Sequence, residues 1–194
     1  MIYFSLEPEH LSSGIKTYAL NGESLSISPE KIGCGITFSK MKIDYLAEHK
    51  EFIPVLAKWH QEQWSYLNPS RSLVDRTKEL EQSASKNRVP ITFVAISGGV
   101  LLGSSSLVEH DMDTRMELSP WLASVYVAPP HREQGVGSLL VKSAMEEAQN
   151  LNIKTLYLFT PDQQQFYGRL GWTTLEHTEY RGEKETIMSI QLRS

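Results

Sequence analysis

The stretch Val125-Tyr126-Val127-Ala128-Pro129-Pro130-His131-Arg132-Glu133-Gln134-Gly135-Val136-Gly137-Ser138 constrains this chain more than any other. Three strand-forming residues run into two prolines, which cannot continue a ladder, and a polar loop with two glycines follows. Apolar residues then recur at Val136, Leu140, Ala144 and Ala148, with Leu139 and Leu151 widening the stripe. That spacing predicts a helix over residues 136–151 with one buried face, so Gly135 and Gly137 fall at its first turn. Amides of a first turn lack intrahelical partners and carry partial positive charge, which suits them to phosphate. Glycine lets a ligand come close to that backbone, and Arg132 adds a fork of charged donors. The pattern converges on a pyrophosphate, held by Arg132 to Ser138.

A lone Gly-x-Gly before a helix is often only a turn, so spacing has to discriminate. A dinucleotide fingerprint needs a third glycine where Leu140 stands, and no Gly-x-x-x-x-Gly-Lys-Ser/Thr string occurs. Arg132-x-x-Gly135-x-Gly137 directly after Val-Tyr-Val-x-Pro resembles the acyl-CoA loop of the GNAT (GCN5-related) N-acetyltransferases. Downstream, Phe166-Tyr167-Gly168-Arg169-Leu170-Gly171-Trp172 is similar to that family's Phe-Tyr-x-x-x-Gly-Phe segment. The resemblance runs from about Met41 to the C-terminus and leaves residues 1–40 unexplained.

The resemblance implies an α/β (α+β) acyl-CoA N-acyltransferase fold: a mixed, mostly antiparallel sheet with one splayed parallel strand pair and helices on both faces. It implies acetyl-CoA as cosubstrate and direct attack of a primary amine on the thioester. Backbone N–H groups of Val125, Tyr126 and Val127 would face the pantetheine arm and the carbonyl. Glu133, Gln134, Val136 and Ser138 would flank the phosphates with Arg132 and the two glycines. Tyr167 matches the general-acid position, where its hydroxyl would meet the departing sulfur, although Phe166-Tyr167 also suits a core-facing aromatic pair. For the general base, Glu109, Asp111, Asp113 and Glu117 lie on the side from which an acceptor approaches in this family, and together they would attract an ammonium. A solvated acidic loop is the plain alternative. Trp59, Trp64 and Tyr66, with the segment from Glu117 to Leu122, can line an acceptor pocket, although helical spacing alone would bury two of those three aromatics.

Along the rest of the chain, Asn21-Gly22 between two short β-like runs signals a tight hairpin in residues 1–40, followed by a linker through Ser28-Pro29-Glu30, Gly33 and Gly35. This extension can act as a lid or as the contact of a homodimer. The main domain is expected over 41–194. Met41, Ile43 and Tyr45 alternate with charged residues as a strand. A helix through Phe52, Ile53, Leu56, Ala57, His60 and Trp64 should follow at once and stop near Asn68-Pro69. Ser72 and Asp75 form a box-like start to a second helix reaching about Ser85. Gly98-Gly99 joins strands 90–97 and 100–108, and strands 121–127 and 154–160 flank the central helix, hence run parallel. Asp162 to Leu170 reads as a short helix, with two closing strands about Arg181-Gly182.

Composition excludes several classes. A net charge of −4 argues against nucleic acid or an anionic membrane as the principal partner and favours a small-molecule or peptide amine. Cys34 is the only cysteine and the six histidines never pair at metal-ligand spacing, which argues against a metal site. No apolar run approaches the roughly eighteen residues of a spanning helix, and the first residues do not pattern as a signal peptide, so a cytoplasmic location is expected. Two rivals stay open: a non-catalytic acyl-CoA-binding sensor module, and a dinucleotide-binding domain weakened by Leu140.

Overall fold

The computed structural model describes residues 17–20, 23–26 and 41–192. Strands β1 (Thr17–Leu20) and β2 (Glu23–Ser26) pair antiparallel, with Leu20 opposite Glu23, and belong to a compact unit separate from the rest. Asn21, Gly22 and the expected linker, with Cys34, lie outside the described residues.

The main unit is built on a seven-stranded sheet. Its strands are β3 (Lys42–Tyr45), β4 (Ile91–Ser97), β5 (Val100–Val108), β6 (Trp121–Val127), β7 (Thr155–Thr160), β8 (Thr173–Tyr180) and β9 (Glu183–Gln191). They lie in the order β3-β4-β5-β6-β7-β9-β8, antiparallel except for β6 and β7. Gly98 and Gly99 both take positive φ, 57° and 80°, as the two-residue turn between β4 and β5 demands. β9 slots between β7 and β8, so its residues are covered from both sides.

The alternation of side chains sorts the sheet into two faces. On one, Phe93, Leu102, Leu107, Leu122, Leu156 and Met188 pack with the stripe of α3 (Val136–Asn150), where Leu140, Ala144 and Ala148 are fully buried. The short α4 (Gln164–Gly168) covers the same face further along. On the other, α1 (Ile53–Trp64) and α2 (Leu73–Ser83) cover Val94, Ile96 and Leu101, while Trp121, Tyr157, Phe159, Ile187 and Tyr180 form a separate aromatic cluster.

One boundary differs from expectation. α1 does not follow β3 directly, because two 3-10 turns, Leu46–Glu48 and Lys50–Phe52, intervene before Pro54 sets the helix start. α2 does begin on a capping box, with Ser72 Oγ accepting from the Asp75 amide at 3.2 Å and Asp75 Oδ2 accepting from the Ser72 amide at 2.9 Å.

Candidate active site

β6 and β7 start side by side and then part. Trp121 pairs with Tyr157, and the Tyr157 amide donates to Pro120 O at 3.1 Å; beyond that residue no further pair joins the two strands. A bulge on β6 sets Ser124 and Val125 opposite the single residue Ser105, and Ser124 adopts φ of 51°. The strand therefore turns away from β7 and leaves the backbone of Val125, Tyr126 and Val127 on an open edge. Gly103 of β5 permits the approach, since a Cβ there would collide with Tyr126 O.

The β6 exit leads into α3. Gly135 stands at the N-cap with φ of 82°, a conformation suited to glycine, and a Cβ placed on it would meet no described atom within 4 Å. The Leu139 amide closes the first helical bond to Gly135 O at 3.1 Å, so the amides of Val136, Gly137 and Ser138 precede the helical ladder. Space above the turn and donors beneath it suit an anion. Arg132 donates from Nε to Val127 O at 3.0 Å, which pins the strand exit while its guanidinium stays in the cavity wall.

The gap between β6 and β7 opens into a cavity of about 460 Å³. Val125, Tyr126, Val127, Arg132, Glu133, Gly135, Gly137 and Ser138 all line it; Gln134 is exposed and bonds Pro130 O, and Val136 is buried in the core. Tyr167 lines it from α4, and burial, with Asp162 nearby, pushes its phenol well above the usual range. The hydroxyl therefore keeps its proton at neutral pH.

The acidic loop between β5 and β6 divides. Asp111 faces the cavity, half-buried, and its carboxyl is pushed up to about 6 by burial, against the pull of Arg71, Arg76 and Arg181. Glu109 and Glu117 are exposed and outside the cavity wall; Ser119 Oγ donates to Glu109 at 3.4 Å. Asp113, exposed as well, accepts from Arg181 at 2.8 Å, and Arg181 also donates to Leu67 O, tying this loop to the segment after α1. The wall is not simply acidic: it carries Arg71, Arg76, Arg132, Arg169 and Arg181 against Asp111, Glu133 and Glu185.

Of the three aromatics considered for the acceptor side, Trp64 and Tyr66 line the cavity while Trp59 packs on Tyr126 with ring centroids 5.3 Å apart. Helical spacing overstated their burial, because α1 ends at Trp64 and the chain beyond it bends over the opening. Trp121 is fully buried, with Nε1 donating to Leu118 O at 2.7 Å. His60, also buried, bonds Ser104 Oγ at 3.0 Å and is pushed down to about 3 by burial, so it stays neutral.

One residue of this wall escaped the sequence reading. Glu185 of β9 is 2% exposed, lines the cavity, and neither carboxylate oxygen has a hydrogen-bond partner among the described residues. The one available signal was a carboxylate at the same alternation as Ile187, an apolar-face position, and it means something only once β9 is known to be an inner strand. Among the described residues no group of three or more His, Cys, Asp or Glu side chains can hold a metal, and no helix is long and apolar enough to cross a membrane.

A parted parallel strand pair, an anion-ready helix start at its mouth and a buried phenol beside the gap define an acyl-CoA transferase site. The model of the acetyltransferase (GNAT) family matches residues 53–172, and the chain belongs to that family. It is accordingly an acetyltransferase whose acetyl donor is acetyl-CoA. Similar solved structures include yncA of Salmonella typhimurium with its cofactor acetyl-CoA, at 18% identity and TM-score 0.61 over 80% of this chain and 96% of that one. An aminoglycoside 6'-N-acetyltransferase complexed with coenzyme A matches at 14% identity and TM-score 0.63 over 79% and 98%. An N-acetyltransferase from Staphylococcus aureus Mu50 matches at 14% identity and TM-score 0.61 over 80% and 100%.

Proposed function

We propose that this protein transfers the acetyl group of acetyl-CoA to a primary amine of a small molecule or peptide, by direct attack within a ternary complex. The observation that carries this reading is Tyr167: a buried, protonated phenol in the same cavity as the Gly135 turn and the open edge of β6. The Val136, Gly137 and Ser138 amides, with Arg132, take the diphosphate. The free edge from Val125 to Val127 aligns the pantetheine arm and offers N–H groups to the carbonyl oxygen as charge builds on it. Tyr167 then protonates the leaving sulfur.

The competing reading, a sensor that binds acyl-CoA without turning it over, leaves the Tyr167 ring as core packing on Phe166 and Trp172 and gives its hydroxyl no task in the cavity. Release of free thiol from acetyl-CoA in the presence of a panel of amines, polyamine, aminoglycoside and peptide N-terminus among them, tests the choice. Amine-dependent release supports the transferase; tight acetyl-CoA binding without release supports the sensor. We further propose a cytoplasmic location, with residues 1–40 as an appendage to the catalytic domain and a candidate homodimer contact.

A further inference from the structure

Direct attack needs a neutral nitrogen, so something must take a proton from an acceptor that arrives as an ammonium. The register of β9 singles out Glu185. Thr186 pairs with Thr160 of β7, and both turn toward α4, where Gln164 Nε2 donates to Thr186 Oγ1 at 2.8 Å and the Gln163 amide donates to Thr160 Oγ1 at 3.0 Å. Glu185, one residue earlier, points through the opposite face, the one on which Ile187 packs in the aromatic cluster with Trp121 and Tyr180. Tyr167 belongs to the α3 and α4 face. Acid and carboxylate thus reach one cavity from opposite sides of the sheet, which keeps the proton donor for the sulfur apart from the group that receives the proton of the amine.

A carboxylate 2% exposed with both oxygens unpartnered among the described residues is costly to keep, and a glutamine or an apolar residue would fill the same space at less cost. Resting on the transferase reading above, we propose that Glu185 is the general base: it seats the acceptor ammonium and takes its proton. The ammonium gives one proton to Glu185, the freed lone pair forms the C–N bond, and the C–S bond breaks. Tyr167 protonates the departing sulfur, the second proton of the nitrogen restores the phenol, and Glu185 returns its own proton to solvent. One proton leaves per turnover.

Burial pushes the Glu185 carboxyl up to about 7, with Glu183, Asp162 and Asp111 adding to the rise. Arg71, Arg76, Arg181 and His110 share the cavity wall with it. At neutral pH such a group is poised to accept a proton and lose it again.

The test compares the full chain with Glu185→Gln and Glu185→Asp, using an amine identified by thiol release. Acetyl-CoA affinity by calorimetry should be unchanged in both, which also reports that they fold. At pH 7 the Gln variant should lose roughly 10²–10⁴ in kcat/KM for the amine. The limb near pH 7 in the wild-type profile should vanish, leaving a rate that climbs toward the amine's own pKa, while Asp retains part of the rate and the limb. A purely structural Glu185 would instead lower rate and cofactor affinity together without reshaping the profile. A Gln variant within about threefold of wild type with the same limb overturns the proposal. A wild-type protein that releases no thiol with any amine fails earlier, at the transferase reading, and takes this proposal with it.

A second readout needs no turnover. A carboxyl raised in the folded state binds its proton more tightly there than in the unfolded chain, so its presence costs stability increasingly as pH rises from about 4.5 through about 7. The Gln variant should therefore resist denaturant better than wild type at pH 8 and equal it at pH 4. Equal stability at both would contradict the unpartnered carboxylate on which the assignment stands.

Discussion

The two ends of the cavity are made of different material. In the proposed reading, the working groups at the cofactor end are backbone: amides of the α3 first turn and the open edge of β6, with Arg132 as the main charged side chain. At the acceptor end they are side chains brought from four separate places: Asp111 from a loop, Trp64 and Tyr66 around the end of α1, Tyr167 from α4 and Glu185 from β9. Backbone exposed to a ligand demands glycine, a bulge or a strand end, and these leave a local signature. Side-chain constellations assembled across the fold leave only isolated marks, as the Phe166-Tyr167 segment does for one member, and none for Glu185. The difference teaches where a donor site and an acceptor site can vary independently: the first is bound to the geometry of one turn, the second can be exchanged residue by residue.

This contrast can be broken most severely at Tyr167. Tyr167→Phe should cut turnover by roughly 10²–10⁴ while acetyl-CoA affinity by calorimetry stays at the wild-type value. Full activity in that variant would return the residue to the core-facing pair Phe166-Tyr167, whose rings sit 4.9 Å apart.

At the other end the reverse split is expected. Gly135→Val forces a branched residue into φ of 82° and sets its bulk over the anion site. A turn that relaxes to shed that strain, about 1–3 kcal/mol, misaims its amides, so coenzyme A should bind up to about 100-fold more weakly. Combined with Arg132→Ala, measurable binding should disappear. Unchanged affinity in folded protein would put the phosphates elsewhere.

Asp111→Asn probes the acceptor wall more gently. Removing one half-buried charge should raise KM for a cationic amine by about tenfold above pH 6, where the carboxyl is ionised, and by little below it. Equal KM at pH 5 and 8 would detach Asp111 from the acceptor. The smallest effect is expected at Val125→Ile, because that position contributes main chain: kcat and coenzyme A affinity should stay within about threefold. A large loss there would mean that the side chain, rather than the strand edge, carries the contact.

Stability offers a comparison of its own. His60 stays neutral when folded and gains its proton freely when unfolded, so the unfolded chain binds more protons below pH 6.5. Stability should fall as pH drops from 6.5 toward 3, by up to about 1.4 kcal/mol per unit from this residue, and His60→Gln should flatten the slope.

Much of the fold was legible for the same reason that the cofactor end was. The α3 stripe, the Gly98-Gly99 turn and the Ser72 capping box are local patterns, and each forms as its spacing predicts. What was not legible depends on tertiary placement. The acidic residues 109 to 117 read as one group, yet only Asp111 lines the cavity: Asp113 is held by Arg181, and Glu109 and Glu117 are exposed. Glu185 carries no local mark at all. Its meaning comes from β9 lying between β7 and β8, a consequence of strand order that no window of the chain contains.

The most direct measurement is free thiol released from acetyl-CoA by the full chain, followed across an amine panel between pH 5.5 and 9. Release that needs an amine, saturates in both substrates and gains a limb near pH 7 is the expected result. Acetyl-CoA binding with no amine-dependent release at any pH would contradict it.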